Sequence, residues 1–247
     1  MNINIISNDA RYEILNDFLN ENGYYSKITT LDNLTQCDAV ILPMKTNASV
    51  DDFKHPLSKV GNAIVFTGER DKISQAFNGE IVDYSKNESF LLENAYITAE
   101  CALSIALSEL NKTLSQTRAL IIGYGRIGKY LSKMLLDLNT SLYVYARREE
   151  SVKEATLSGA QPFNISELDK GNFDVVFNTV PERIVPKAIS DKIKDTLLIE
   201  LASAPGGFED EGAPKKALKL PGIMKPRSAG YAIYNFISSY LSSIKEG

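Results

Sequence analysis

The stretch that decides the fold is Ala119-Leu120-Ile121-Ile122-Gly123-Tyr124-Gly125-Arg126-Ile127-Gly128-Lys129. The apolar run from Ala119 to Ile122 predicts a strand, and the pattern from Arg126 to Leu138 predicts a helix. The glycines between them are spaced G-x-G-x-x-G. In a strand–turn–helix each has a mechanical reason. Gly123 permits the tight turn, Gly125 lets a pyrophosphate approach the backbone, and Gly128 lets the helix pack closely on the strand. The helix N-terminus attracts the phosphates. Tyr124, Arg126 and Ile127 complete the loop and the first helical turn, so Gly123 to Gly128 as a block is the expected dinucleotide-binding element.

Downstream, Ser141 to Tyr145 predicts the next strand, Ser151 to Ser158 a helix stopped by Gly159, and Asp174 to Asn178 and Thr196 to Leu201 two further apolar strands. The second strand runs into Arg147-Arg148. An acidic residue there would bind the ribose 2′-OH of NAD, whereas arginine accommodates the 2′-phosphate of NADP. NADP is therefore the expected cofactor, with NAD the alternative. Thr179-Val180-Pro181 follows one later strand, and Ser203-Ala204-Pro205-Gly206-Gly207 follows another. Ligands bind at this edge of open α/β sheets. Thr179, Val180 and Pro181 are read as cofactor-facing, and Ser203, Gly206 and Gly207 as hydrogen-bonding groups for substrate; turn chemistry alone is the alternative for both loops.

Upstream, short apolar runs alternate with helical patterns. Ile3 to Ile6, Tyr24 to Thr29, Asp38 to Leu42 and Ala63 to Phe66 predict strands. Ala10 to Asn20 predicts a helix capped by Asp9, and a short helix is expected near Lys72 to Phe77. Ser89 to Leu114 predicts one long helix rich in small residues. The fold class is thus α/β: a Rossmann-type doubly wound parallel-sheet domain over 116–228 and a smaller N-terminal α/β, flavodoxin-like domain over 1–90. A connecting helix over 91–115 joins them, and a closing helix over 229–245 is expected to pack back toward the N-terminal domain.

Three cations sit where a helix dipole disfavours them. Arg11 follows the first strand, and Lys225 and Arg227 precede or open the final helix, with Ser228 beside them. A bound dicarboxylate would offset that, and the alternative is a set of solvated side chains. In Thr98-Ala99-Glu100 the carboxylate lies on the small-residue face of the long helix, either as an acid/base group or simply paired with a basic neighbour. Thr98, Glu100 and Ser203 are the candidate catalytic groups.

Composition excludes other classes. With 27 basic and 31 acidic residues, the net charge of −4 gives no drive toward nucleic acid or an anionic membrane. No continuous apolar run reaches the ~18 residues that span a bilayer. The single histidine, His55, lies in a polar, loop-like stretch before Pro56 and is expected at the surface, which argues against a histidine triad or a multi-histidine metal site. The only cysteines, Cys37 and Cys101, define neither a disulfide framework nor a zinc site. No metal is expected, and the protein is expected in the cytoplasm.

The chain resembles the dipicolinate synthase family of endospore-forming bacteria, in its Rossmann-type subunit. The matching stretches are Asn8-Asp9-Ala10-Arg11, Val40 to Pro43, Asn94-Ala95 with Thr98 to Glu100, the glycine fingerprint, Asn178 to Pro181, Leu201 to Gly207, and Leu220 to Gly230. The resemblance implies a Rossmann cofactor domain and an N-terminal α/β domain arranged as in 2-hydroxyacid dehydrogenases. It implies dehydrogenation of dihydrodipicolinate, or its hydrated form, to dipicolinate with NAD(P)⁺, in sporulation. It also implies the second, flavoprotein-like subunit of dipicolinate synthase as partner; a homo-oligomer is expected besides. Ile97, Cys101 and Ala204 depart from the family pattern, which has proline, glycine and a basic residue there. A 2-hydroxyacid-dehydrogenase-like enzyme and a non-catalytic NADP-binding module are the alternatives.

Overall fold

The computed structural model describes residues 1–217 and 220–244. In chain order the regular elements are β1 (Asn2–Ile6), α1 (Ala10–Glu21), β2 (Tyr25–Thr29), β3 (Ala39–Ile41), α2 (Val50–Ser58), β4 (Ile64–Thr67), α3 (Arg70–Ile73), β5 (Ile81–Asp83) and α4 (Glu88–Glu109). There follow β6 (Arg118–Ile122), α5 (Arg126–Asp137), β7 (Ser141–Tyr145), α6 (Glu149–Leu157), β8 (Gln161–Pro162), β9 (Val175–Asn178), α7 (Lys187–Ser190), β10 (Leu197–Glu200) and β11 (Lys215–Lys216). The chain then closes through α8 (Leu220–Met224) and α9 (Pro226–Ser243). Residues Met1–Asn94, with the described residues from Pro221 onward, form one compact unit, and Ala95–Leu220 forms the other.

The sheet of the first unit has the order β2-β1-β3-β4-β5, with every pair parallel. This is the flavodoxin-like order, whose topological switch point falls between β1 and β3. β3 and β4 are buried along their whole length, as a parallel strand covered on both faces requires. On one face Val40, Leu42, Phe53, Leu57 and Val65 pack together. On the other, Phe236 of α9 meets Phe66 and Tyr84 edge to face. Burying each such side chain is worth ~1.5–3 kcal/mol, so α9 belongs to the core of this unit although it lies last in sequence.

The sheet of the second unit runs β11-β10-β9-β6-β7-β8, again all parallel. Renumbered within the unit this is the 3-2-1-4-5-6 order of Rossmann folds, with the switch point between β6 and β9. Leu120, Ile122, Val176, Leu198 and Phe208 fill its core. Both expected sheet types are thus present.

Several elements differ from the sequence reading. His55 lies on a helix, α2, and not in a loop. A reciprocal capping box between Ser49 and Asp52 starts that helix, and Pro56 is tolerated in its last turn. His55 itself is exposed, as expected. The short helix expected at Lys72 to Phe77 is α3, shifted to Arg70–Ile73. The long helix ends at Glu109 and not at Leu114, which opens a short 3₁₀ turn. The last helix starts at Pro226, three residues earlier than expected, because proline suits a first helical turn where no N–H partner is needed. Lys245, its expected end, lies outside the described residues. Finally, α4 is long and apolar enough on average to cross a membrane, although polar residues interrupt its apolar run. Its Ala95, Ile97, Ala99, Ala102 and Ala106 are buried within the protein.

Candidate functional site: a dinucleotide pocket at the β6/β9 switch point

In the second unit, β6 delivers the chain to Gly123, whose φ of 99° is accessible to glycine and strained for other residues. A side chain there would also run into Thr179 and Val180. Thr179 Oγ1 donates to the Ile122 carbonyl at 3.0 Å, which ties the loop after β9 to the fingerprint turn. Gly125 differs. Its φ of −84° suits any residue, and a Cβ built on it meets no atom within 4 Å. The fold therefore does not need this glycine, whereas a ligand approaching the backbone would. Arg126, Ile127 and Gly128 form the first turn of α5, which no side chain caps. A bound pyrophosphate fits both observations: it needs open space at Gly125 and N–H donors at a helix start.

The fingerprint residues Gly123, Tyr124 and Gly125 line one pocket of about 260 Å³ with Arg147, Arg148, Thr179, Val180 and Pro181. The structure thus brings together residues read from three separate strand ends. Tyr124 is buried in its wall, with Lys129 near its ring. Arg147 and Arg148 are exposed at the end of β7. Arg147 forms a two-pronged ion pair with Glu182, at 2.6 and 2.8 Å, a residue the sequence reading did not single out.

The loop after β10 is organised by a second missed residue. Glu200 is buried, directly opposite Asn178 in the β9/β10 register. Its carboxylate accepts from Asn178 Nδ2 at 2.6 Å, from the Ala202 N–H at 3.0 Å and from the Gly207 N–H at 2.7 Å. Asn178 Nδ2 also donates to the Val180 carbonyl. A polar residue ending each apolar strand, Val175–Asn178 and Leu197–Glu200, was the available signal. This network corrects one expectation. The Gly207 N–H serves Glu200 and the Gly206 N–H serves the Ser203 carbonyl at 3.0 Å, so neither is offered to a substrate. The Ser203 side chain is exposed in the same loop. Thr98 is buried and Glu100 half-buried on α4, and neither lines the dinucleotide pocket.

In the first unit, Asp9 caps α1 and its Oδ1 accepts from both the backbone N–H and Nε of Arg11, the latter at 2.8 Å. Arg11 is buried, and Gly222 of α8 sits so close to this pair that any side chain there would collide with it. Gly230 of α9 likewise lies against the Arg11 carbonyl and Ile14. Arg227 is exposed and its guanidinium lies 5.2 Å from the centre of the Phe18 ring. Lys225 is half-buried at the N-cap of α9 and Ser228 is exposed. Arg11 is held at the first turn of α1 by an ion pair, and Arg227 near the last turn of α1 by a cation–π contact. Beneath them, Tyr84 donates to the Leu42 carbonyl at 2.7 Å and Tyr12 accepts from the Met44 N–H at 2.8 Å. Burial pushes both phenols up, which keeps them protonated. Among the described residues no cluster of His, Cys, Asp and Glu could hold a metal ion.

Fold and pocket together define the second unit as an NAD(P)-binding domain of the Rossmann class. A family model described as "Acetohydroxy acid isomeroreductase, NADPH-binding domain" matches residues 113–203. The resemblance to the dipicolinate synthase family holds in sequence and in fold. The chain is 26% identical to a dipicolinate synthase subunit from Bacillus subtilis (strain 168) over 197 residues, 74% of this chain and 66% of the relative's length. It is similar in fold to the structure of a dipicolinate synthase subunit from Bacillus halodurans, with a TM-score of 0.81 and 21% identity over 97% of each chain. A transhydrogenase structure from Sinorhizobium meliloti follows at a TM-score of 0.71 and 14% identity, covering 98% of this chain and 94% of that one.

Proposed function

We propose that this chain is an NADP-linked oxidoreductase subunit of the cytoplasm that dehydrogenates dihydrodipicolinate, or its hydrated precursor after loss of water, to dipicolinate together with a second, flavoprotein-like subunit. The observation that carries the reading is the pocket at the β6/β9 switch point. It combines an open approach to Gly125, an uncapped α5 N-terminus and two arginines at the end of β7. Similarity to a dipicolinate synthase subunit over 74% of the chain supports the substrate and the partner.

Bound in this pocket, the nicotinamide cofactor supplies the hydride acceptor. The first-turn N–H groups of α5 hold its pyrophosphate. Arg147 and Arg148 hold the 2′-phosphate through charge-assisted hydrogen bonds. Thr179 and Val180, fixed by their contacts to Ile122 and Asn178, line the same pocket with Pro181. Lys225, Arg227 and Ser228 meet the substrate carboxylates, while Arg11, paired with Asp9, packs against Gly222 of α8. Formation of an aromatic pyridine supplies driving force, so the proton can leave without a strongly basic histidine. Glu100, Thr98 and Ser203 are the groups proposed to handle it.

The test is nicotinamide reduction, followed by absorbance, when the purified chain meets freshly formed dihydrodipicolinate and NADP⁺ with and without the flavoprotein-like partner. Dipicolinate formation matched by cofactor reduction is the expected result. Tight nucleotide binding with no turnover in either mixture would leave a non-catalytic binding module instead.

A further inference from the structure

We infer that Glu182 tunes the choice between NADP and NAD by competing with the ribose 2′-phosphate for Arg147, an inference that rests on the dinucleotide reading of the pocket. Arg147 stands 19 residues beyond Gly128, at the end of the second strand of the fold, where the ribose 2′ substituent is recognised. Its guanidinium is already engaged by Glu182 through two short hydrogen bonds of 2.6 and 2.8 Å. Glu182 comes from the loop after β9 and lines the same pocket. Its carboxylate occupies the planar, bidentate face that a phosphate would use.

The consequence differs between the two nucleotides. NAD brings a neutral 2′-hydroxyl, which leaves the Arg147–Glu182 pair intact and can donate to the carboxylate. NADP brings a dianion, which must displace Glu182 from Arg147 and then sit beside the displaced negative charge. Both side chains are more than half exposed, so solvent screens the repulsion and the effect is moderate. Arg148 lines the same pocket and supplies a second cation for the phosphate. The pair therefore works as an internal brake on NADP.

The experiment is calorimetric titration of NADP⁺ and NAD⁺ into the wild-type chain, Glu182→Gln, Arg147→Ala and the double variant. Glutamine keeps a hydrogen bond to Arg147 without the charge, and the site is exposed enough to preserve the fold. Glu182→Gln should tighten NADP⁺ by about tenfold, or ~1.4 kcal/mol, while NAD⁺ changes little or weakens. In the Arg147→Ala background the same substitution should gain clearly less. A wild-type chain that binds both nucleotides while Glu182→Gln leaves their ratio unchanged would overturn the inference and leave the pocket reading standing. An equal gain without Arg147 would overturn competition for that residue. A wild-type chain that binds neither nucleotide would overturn the pocket reading and this inference with it.

Discussion

Gly125→Val separates what the fold needs from what the ligand needs. Gly125 has an extended backbone, with φ −84° and ψ −163°, that valine adopts without strain, and its Cβ direction is open for 4 Å. The substitution should therefore leave thermal stability close to wild type. It should abolish nucleotide binding, because the side chain fills the path along which a pyrophosphate reaches the first turn of α5. Charge-assisted hydrogen bonds are worth ~1.5–3 kcal/mol each, so losing two would cost about 3–6 kcal/mol, a rise in Kd on the order of 10²–10⁴. Gly123→Ala is the contrasting control. Its φ of 99° and its contact with Thr179 and Val180 predict a loss of stability of ~1–3 kcal/mol before any ligand is added. The assays are thermal unfolding and fluorescence or calorimetric titration of both variants. An unchanged dissociation constant for Gly125→Val would refute the placement of the cofactor. An unfolded Gly125→Val would refute the claim that the space beside it is open.

Other substitutions probe the rest of the site and the fold. Arg147→Ala with Arg148→Ala should weaken NADP⁺ more than NAD⁺, by up to ~1.5–3 kcal/mol for each phosphate contact before solvent screening; equal weakening by titration would reject the 2′-phosphate assignment. Glu200→Gln should destabilise the second unit by about 1–3 kcal/mol, because the new amide cannot accept from Asn178, Ala202 and Gly207 together, and urea unfolding would read the loss. The hydrogen bond from Tyr240 to Glu80 pushes that phenol up to about 12. A raised folded-state pKa means its stabilisation is fully present below the unfolded value of ~10 and is lost as pH rises through the folded one. Thermal unfolding of Tyr240→Phe should therefore lose that component of the alkaline slope and match wild type more closely as pH climbs.

The sequence by itself determined that both sheets are parallel α/β sheets and where the glycine-rich turn of the candidate pocket falls, though not the short strands β5, β8 and β11. Local rules suffice for the sheets and the turn: apolar runs such as Ala119 to Ile122 bury as parallel strands, and a G-x-G-x-x-G between strand and helix has few physical uses. Arg147 and Arg148 were legible for the same reason, since strand ends of one edge share a face. Tertiary structure alone decided which polar groups remain available. Glu182 meets Arg147 across 35 residues of chain, and Glu200 meets Asn178 across 22. Neither pairing leaves a periodic trace, because it depends on the register of strands and the course of loops. The same holds for Arg11. Its odd position at a helix start suggested a bound anion, yet the charge is met by Asp9 and covered by Gly222, more than 200 residues away in the chain. A buried ion needs its partner close in space, and sequence distance sets no limit on where that partner or its cover comes from.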